Sequence, residues 1–361
     1  MTKLKKLKSW YEEHEKHIST SSLIFGFVFD ALTLKRIDSL LDNLWLGVNL
    51  FAVALCILLI NRAENSGKFS EWKHFWYFNT LQFSFGALLG ASFIFYFRSA
   101  TLAVSWPFLL ILLGAMVGNE VLKKHYDRLT FQLSFLFLSI FVFAIFLIPV
   151  LMHKVGAPIF LLSGGVSLLL IYLFVSALKK FAKEKFRKGS SERIWVSIFS
   201  IFFIINALYF TNLIPPIPLS LKDAGVYHSI AVGSRGEYLV SEEERAEWRR
   251  YLEFRQKVHL LPNEPLYAYA AIFAPGSLNT RVVHEWQYRN EFGEWVTATR
   301  ISITLSGGRD QGFRTYSNKT SLTPGIWRVN IENPRGQLIG RVNFEIIAVD
   351  TQVPLVTTVK D

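Results

Sequence analysis

The sequence predicts an α-helical transmembrane bundle of about seven spans, followed by an all-β, immunoglobulin-like sandwich domain with one preceding helix. Three observations lead to this fold class. Long uncharged apolar runs occupy the first 214 residues, and the rest of the chain is dominated by short runs with a period of two. The net charge is the third: residues 1–214 carry +10 of the total of +11, and residues 215–361 carry only +1.

Six apolar runs have the length of a membrane-crossing helix, since about 20 residues cross ~30 Å of hydrocarbon. They cover 43–61, 76–97, 101–119, 129–152, 157–178 and 194–214. Hydrocarbon offers no partner for backbone polar groups, so each run is predicted to be helical. A seventh, shorter run at 18–34 contains Asp30.

The Lys and Arg residues between the runs predict the orientation. With seven spans, the N-terminus and loops 62–75, 123–128 and 179–193 hold 18 Lys+Arg against 4 in the opposite short loops. If 18–34 only lies along the interface, the split is 13 against 9. Cytoplasmic loops carry the basic excess, so we expect a multi-pass inner-membrane protein with a cytoplasmic N-terminus and a periplasmic C-terminal domain. Basic residues placed in this way face lipid, which argues against a nucleic-acid partner.

Changes in composition set the expected domain limits. These are a basic cytoplasmic tail at 1–17, the transmembrane domain at 18–214, a linker with an amphipathic helix at 215–262, the periplasmic β-sandwich at 263–349 and a tail at 350–361. Three prolines among residues 215–218 end the last span. Ser241 and Glu244 form a capping box, which predicts a helix from Ser241 to about Val258.

Six strands are predicted after Pro262, separated by turns rich in Gly, Pro and Asn. They cover 266–274, 281–289, 295–304, 312–318, 325–332 and 338–347. Short strands at this spacing favour an antiparallel sandwich of immunoglobulin-like type. The only cysteine, Cys56, lies in an apolar run, so no intramolecular disulfide is predicted.

A set of ordered motifs lies on these strands. They are His284-Glu285-Trp286-Gln287-Tyr288, Gly307-Gly308-Arg309, Phe313-Arg314-Thr315-Tyr316-Ser317, Trp327-Arg328-Val329 and Gly336-Gln337-Leu338-Ile339-Gly340. The stretch resembles the bacterial domain of unknown function 2914, whose H-x-W, R-(T/A)-(Y/W), G-x-W-x-V and G-x-x-(L/I)-G motifs occur in this order. Residues 26–30 and 212–216 resemble the membrane halves found with that domain. The resemblance supports the architecture and implies no reaction.

The search for chemistry in the sequence is negative. It has no Walker loop, no dinucleotide-binding glycine pattern, no H-E-x-x-H and no G-x-S-x-G. No catalytic residue, no cofactor and no metal site are therefore predicted, and enzymatic activity is not favoured.

The ligand-binding candidates are aromatic and basic residues of the strands. His284, Trp286 and Tyr288 share one strand face, and Arg314 and Tyr316 share another, with Arg309 in the loop before them. Aromatic rings stack on sugars and arginines bind anionic groups. The alternative is that Trp286 and Trp327 fill the sandwich core.

Asp30 is the intramembrane candidate, because ionisable groups within spans are costly and often functional. Its alternative is a pairing with Lys35, Arg36 or a neighbouring helix that serves assembly alone. The sequence thus favours a membrane-anchored protein whose periplasmic β domain binds an envelope glycan or a protein partner in an envelope-associated or sensory role. The alternative is a transporter or a lipid-modifying membrane protein with the β domain as an accessory.

Overall fold

The chain forms two compact units, one made mainly of residues up to Ile214 and one mainly of Pro215–Asp361. The computed structural model describes residues 27–28, 30–34, 38–65, 71–99, 102–122, 128–181, 186, 190–234, 236–244, 255–274, 280–305 and 313–360. The predicted basic tail at 1–17 lies outside the described residues.

Six helices build the first unit. They are α1 (Leu40–Asn65), α2 (Glu71–Ser99), α3 (Leu102–Val121), α4 (Leu129–Met152), α5 (Ala157–Phe181) and α6 (Ser190–Phe210). Within the described part of the chain, these six are long and apolar enough to cross a membrane, so six spans replace the predicted seven. Of the expected first span at 18–34, the structure describes only residues 27–28 and 30–34.

Helix α4 is the central helix of this unit, packed against α1, α5 and α6. Its phenylalanines supply the contacts: Phe141 stacks on Phe202 with ring centroids 5.7 Å apart. Phe160 of α5 lies flat on Tyr209 of α6 at 3.6 Å. Lipid tails are as apolar as these side chains, so close ring packing, more than the hydrophobic effect, holds such helices together.

Eleven strands are described in the second unit. They are β1 (Ser220–Tyr227), β2 (Ser229–Val232), β3 (Tyr238–Glu243), β4 (Gln256–Leu260), β5 (Leu266–Phe273), β6 (Thr280–Arg289), β7 (Trp295–Leu305), β8 (Phe313–Lys319), β9 (Gly325–Glu332), β10 (Leu338–Ala348) and β11 (Leu355–Lys360). All six strands predicted from the period of two are confirmed as β5 to β10, with limits within about two residues.

The strands form three sheets. We name them the five-stranded sheet (β4-β10-β9-β6-β7), the middle sheet (β1-β5-β8) and the outer sheet (β11-β3-β2). All described pairs are antiparallel except β4 with β10, which is parallel. The sequence predicted two antiparallel sheets, and the third sheet and the parallel pair are additions to that plan.

The middle sheet is covered on both faces. Ala268 packs with Trp286 and Phe344 in a core that joins it to the five-stranded sheet. On its other face, Tyr269 and Ala271 pack with Val240 of the outer sheet. Small residues on β5 let the layers on both sides approach, since successive side chains of a strand point to opposite faces.

Three elements of the expected domain plan are corrected. Ser241–Glu243 belongs to strand β3 and Gln256–Leu260 to β4, so a strand stands at each end of the predicted helix 241–258; residues 245–254 between them lie outside the described residues. The predicted tail at 350–361 contains β11, which pairs with β3. The β unit also begins earlier than 263, because β1 pairs with β5. Pairing partners distant in sequence outweighed the local capping signal.

An ion cluster around the buried His228 joins β3, β4 and the β4–β5 turn. His228 follows β1 and is 7% exposed. Its Nε2 lies 3.2 Å from Glu243 Oε1 and its Nδ1 3.0 Å from Glu264 Oε1. His259 adds two contacts to Glu243, from its backbone N–H at 2.6 Å and its ring Nδ1 at 2.8 Å. Carboxylates only accept, so both ring nitrogens of His228 donate and the ring is an imidazolium.

Burial and charge pairing shift the pKa values of this cluster in opposite directions. Burial lowers the pKa of His228, but the hydrogen bonds to Glu243 and Glu264 outweigh it and leave the pKa raised above 6.5. For Glu243, burial favours a higher pKa, yet the bonds from His228 and His259 hold its pKa at about 2. A raised histidine pKa gives stability that is present below pH 6.5 and lost as the pH rises through the folded value. A lowered carboxyl pKa gives stability that is present above pH 4.5 and lost on acidification.

We therefore expect His228→Gln to destabilise the β unit by about 1–3 kcal/mol near pH 6, because two half-buried carboxylates lose a charged donor. The wild-type chain should also lose stability as the pH rises above 6.5, and the variant should lose less. Pulse proteolysis of the detergent-solubilised chain in urea measures both. Parallel stability curves for the two proteins would show that His228 is not an imidazolium in the fold.

Candidate functional site

His284 and Trp286 of β6 point into the core between the five-stranded and middle sheets, both with 0% exposure. Trp286 Nε1–H donates to Ser317 Oγ at 3.0 Å, and His284 Nδ1 lies 2.9 Å from the same hydroxyl. His284 Nε2 lies 3.1 Å from Thr315 Oγ1, and Thr315 donates to Ala270 O at 3.0 Å. We call this chain of hydrogen bonds the core polar chain.

The direction of each bond in the core polar chain follows from the donors available. The Thr315 hydroxyl donates its proton to Ala270 O, so its oxygen accepts from His284 Nε2–H. The other nitrogen, Nδ1, then accepts from Ser317, whose oxygen accepts from Trp286. Every hydroxyl is used once as donor and once as acceptor with a neutral imidazole. Burial lowers the pKa of His284 to about 4, which matches that protonation state.

The strand face that carries His284, Trp286 and Tyr288 thus points into the core. This agrees with the alternative that Trp286 fills the sandwich core. Trp327 lies in the same cluster, with Tyr288 packed against it at 5.4 Å between ring centroids. The rings of His284, Trp286 and Trp327 are closed to a ligand in this structure, and Tyr288 is half-buried.

Trp286→Ala should lower the free energy of unfolding by about 3–5 kcal/mol, because lost burial and a new cavity add. Phe292→Ala is a matched aromatic control in the β6–β7 turn: its ring is 87% exposed, and we expect a change within about 0.5 kcal/mol. The same proteolysis assay measures both. A Trp286→Ala protein that unfolds like the control would contradict the core assignment.

Arg314 and Tyr316 lie on the opposite face of β8 from Thr315 and Ser317, as strand alternation requires. The Arg314 guanidinium lies 5.7 Å from the Tyr238 ring centroid and donates to Gly236 O at 2.9 Å. Tyr316 is 43% exposed and packs edge-on against Tyr238. The structure therefore separates this pair from His284 and Trp286, and Arg309 lies outside the described residues. The binding role of Arg314 and Tyr316 stays a prediction.

Polar residues within the helices are arranged in small groups. Gln82 donates to Glu120 Oε2 at 2.7 Å, and Asn119 donates to Gln82 O at 3.1 Å. Buried Asn61 donates to Gln132 Oε1 at 2.9 Å. Such bonds join neighbouring helices, which is how polar side chains act within a bilayer. They account for these side chains as contacts between helices.

Asp30 is half-buried beside α2, where its Oδ2 lies 3.8 Å from the position that a Cβ would take at Gly90. Arg98 donates to the carbonyls of Ala31, at 2.7 Å, and of Leu34 at the end of the same helical turn. A cation that binds terminal carbonyls stabilises a helix end. The role of Asp30 itself stays a prediction.

The outward face of β6 carries the largest described network of charged side chains in the β unit. Glu285 accepts from Thr297 Oγ1 at 2.9 Å, Arg300 Nη1 at 3.0 Å and Asn330 Nδ2 at 3.2 Å. Arg300 reaches Glu332 Oε2 as well, at 3.5 Å. Although they lie on the outward face, Glu285 and Glu332 are only 6% and 8% exposed.

A β-bulge in β7 makes this arrangement possible. Thr297 and Arg300 are three residues apart, which in a regular strand would put them on opposite faces. The register shifts between the pairs Trp286–Thr299 and Gln287–Thr297, so Ala298 is the extra residue. A bulge of this kind re-aims the side chains that follow it. Both groups therefore reach Glu285.

The network continues through two amides and two further arginines. Gln287 Oε1 accepts from Arg328 Nε at 2.7 Å and from Asn330 Nδ2 at 3.3 Å, while Gln287 donates to Thr297. Arg341 Nε donates to Asn330 Oδ1 at 2.7 Å. We call Glu285, Gln287, Arg300, Arg328, Asn330, Glu332 and Arg341 the outward polar face.

The two carboxyl groups of this face titrate differently. Burial and then the charge of Glu285 raise the pKa of Glu332 to about 7. For Glu285, burial favours a higher pKa, but hydrogen bonds from Asn330 and Thr297 and the charge of Arg300 lower it. Near neutral pH one proton resides on Glu332 for part of the time. Perturbed carboxyls of this kind mark functional surfaces more often than ordinary ones.

Glu332→Gln should change the pH dependence of stability. A carboxyl whose folded pKa is raised from 4.5 to about 7 contributes stability at low pH that is lost as the pH rises to 7 and beyond. The variant should therefore exceed the wild type at pH 8.5, by on the order of 1–3 kcal/mol. Glu291→Gln, in an exposed turn, is the control. Urea midpoints at pH 5 and 8.5 measure the effect, and a variant less stable at both would contradict the raised pKa.

Sequence reasoning missed the outward polar face because it followed the aromatic residues. The signal was present one position away: Glu285 and Gln287 alternate with His284, Trp286 and Tyr288. Arg328, Asn330 and Glu332 likewise alternate with the buried residues of β9. A period-two pattern that is polar on the face opposite the core predicts such a surface.

Residues 279–346 match a family model described as a protein of unknown function, DUF2914. This match confirms the resemblance drawn from the ordered motifs, at the C-terminal end of the chain. It spans the core polar chain residues of β6 and β8 and the whole outward polar face. The comparison with curated proteins finds no match.

Several solved structures are similar to parts of the chain. An immunoglobulin-like protein, PA1606, from Pseudomonas aeruginosa shares 7% identity over 36% of this chain and 98% of its own, with a TM-score of 0.22. The alkylpurine DNA glycosylase AlkC from Pseudomonas fluorescens shares 9% identity over 86% of this chain and 99% of its own, with a TM-score of 0.23. A β-glucosidase from Listeria innocua shares 8% identity over 31% of this chain and 16% of its own, with a TM-score of 0.18. These scores carry no argument about function.

Proposed function

We propose that this chain is a multi-pass inner-membrane protein that presents its C-terminal β unit in the periplasm to bind an envelope ligand or partner. The observation that supports it most is the outward polar face. A solvated sheet face needs only separate polar side chains, whereas this one carries a connected array with two nearly buried carboxyls. Side chains fixed by mutual hydrogen bonds are preorganised for recognition.

The proposed orientation does not depend on the number of spans before α1. Loops 62–75, 123–128 and 179–193 hold 13 Lys+Arg and lie on one side of the membrane whether or not 18–34 crosses it. The β unit follows α6 and lies on the opposite side in both cases. The excess of basic residues favours a cytoplasmic position for these loops, and hence a periplasmic β unit.

Fusions of alkaline phosphatase test the orientation. The enzyme matures only outside the cytoplasm, so a fusion after residue 230 should be active and one within 181–190 inactive. Comparable amounts of both fusions on an immunoblot are the control. The reverse activity pattern would overturn the proposed placement.

Binding of peptidoglycan fragments and neutral envelope glycans to the detergent-solubilised full chain tests the role of the outward polar face. Gln287→Ala removes an acceptor that positions Arg328, so it should weaken binding about tenfold, as expected for a hydrogen bond to a charged group. Ser302→Ala, on an exposed position of neighbouring β7, is the control. Equal affinity of wild type and Gln287→Ala would argue that another surface binds.

A further inference from the structure

Two arginines of the outward polar face differ from the third in what they bind. Arg300 forms ion pairs with Glu285 and Glu332. Arg328 and Arg341 each donate through Nε to a neutral amide oxygen, of Gln287 and Asn330 respectively, at 2.7 Å. Among the residues that the structure describes, no carboxylate lies in an ion pair with either guanidinium.

Arg328 and Arg341 occupy neighbouring positions on one face of the sheet. Arg341 pairs with Asn330 across β9 and β10, and Asn343 pairs with Arg328, so the two arginines are diagonal neighbours. Diagonal positions are about 7–8 Å apart, within reach of long side chains. Both are half-buried. Burial, and then the charge of Arg341, lower the pKa of Arg328 to about 10, and burial lowers that of Arg341.

Arg328 is also fixed in orientation. Its guanidinium lies 4.0 Å from the centroid of the Trp295 ring, and Nε is engaged by Gln287. A guanidinium that is stacked on one flat side and bonded through Nε keeps its two terminal nitrogens at the opposite edge. That edge is the one that binds two oxygens of a carboxylate or phosphate in parallel.

We propose that Arg328 and Arg341 form an oxyanion site, which binds a carboxylate or phosphate group of the ligand. The inference deepens the proposed function and rests on it, since it names the chemistry recognised by the outward polar face. Two like charges held together by neutral acceptors repel each other until an anion lies between them. The nearby charges of Glu285 and Glu332 lessen this repulsion, but each is already engaged with Arg300.

The arrangement also predicts selectivity between charged and neutral ligands. A sugar hydroxyl can accept from a guanidinium, but it does not offset the mutual repulsion of two of them. An oxyanion accepts from a guanidinium and also offsets the repulsion between the two arginines. Its hydrogen bonds are roughly twice as strong as neutral ones. The site should therefore prefer an acidic group over an uncharged glycan.

The test uses the full chain in a neutral detergent at fixed ionic strength, titrated with inorganic phosphate, with succinate and with the uncharged disaccharide cellobiose. Binding is followed by isothermal calorimetry. A second arm measures flotation with vesicles of a phosphate-bearing anionic lipid against vesicles of a zwitterionic lipid. The first arm reports a free oxyanion and the second a lipid headgroup.

Arg328→Gln and Arg341→Gln should each weaken phosphate or succinate binding, or anionic-vesicle flotation, by about tenfold or more. Arg281→Gln is the matched control, an exposed arginine at the far end of the same strand face. Circular dichroism and thermal melting establish that each variant is folded. Retention of binding by Arg328→Lys would contradict bidentate recognition.

The outcomes separate this inference from the proposed function. The oxyanion site is supported if Arg328→Gln and Arg341→Gln lose anion binding and Arg281→Gln keeps it. An equal loss in Arg281→Gln means general charge attraction and overturns it. Failure of the wild type to bind any anion, while neutral glycan fragments still bind, overturns the oxyanion site and leaves the proposed function intact.

Discussion

The β unit depends on the core polar chain that runs from Trp286 through Ser317, His284 and Thr315 to the carbonyl of Ala270. It joins β6 of the five-stranded sheet to β8 and β5 of the middle sheet inside an otherwise apolar core. A buried polar group without a partner costs about 1–3 kcal/mol, so a slip of either strand would leave several such groups unsatisfied. The chain therefore fixes the register of the two sheets, and apolar contacts alone would fix it less strictly.

Once that register is fixed, the outward polar face follows from strand geometry. His284 and Trp286 point inward, so Glu285 and Gln287 must point outward. The bulge at Ala298 then brings Thr297 and Arg300 to the same carboxylate. The buried hydrogen bonds of the core polar chain thus position the hydrogen bonds of the outward polar face. A change in the core would therefore shift the side chains of that face.

The helical unit obeys a different constraint. Within hydrocarbon each backbone group must be satisfied by its own helix, which leaves side chains to decide how helices associate. Here the central helix α4 supplies aromatic packing, and Asn61 with Gln132 supplies a buried hydrogen bond to α1. The β unit relies on hydrogen bonds between distant strands and the helical unit on contacts within and between helices.

The sequence by itself determined the elements with strong local signals: six apolar helices, and strands β5 to β10 with their alternating residues. It left open whether Trp286 binds a ligand or fills the core, and the structure buries its ring. Tertiary structure decided what depends on partners far along the chain. Ser241–Glu243 became a strand because β2 and β11 pair with it, although its local sequence favours a helix start. Arg328 and Arg341 meet only because β9 and β10 pair in one register, and no local pattern encodes that register.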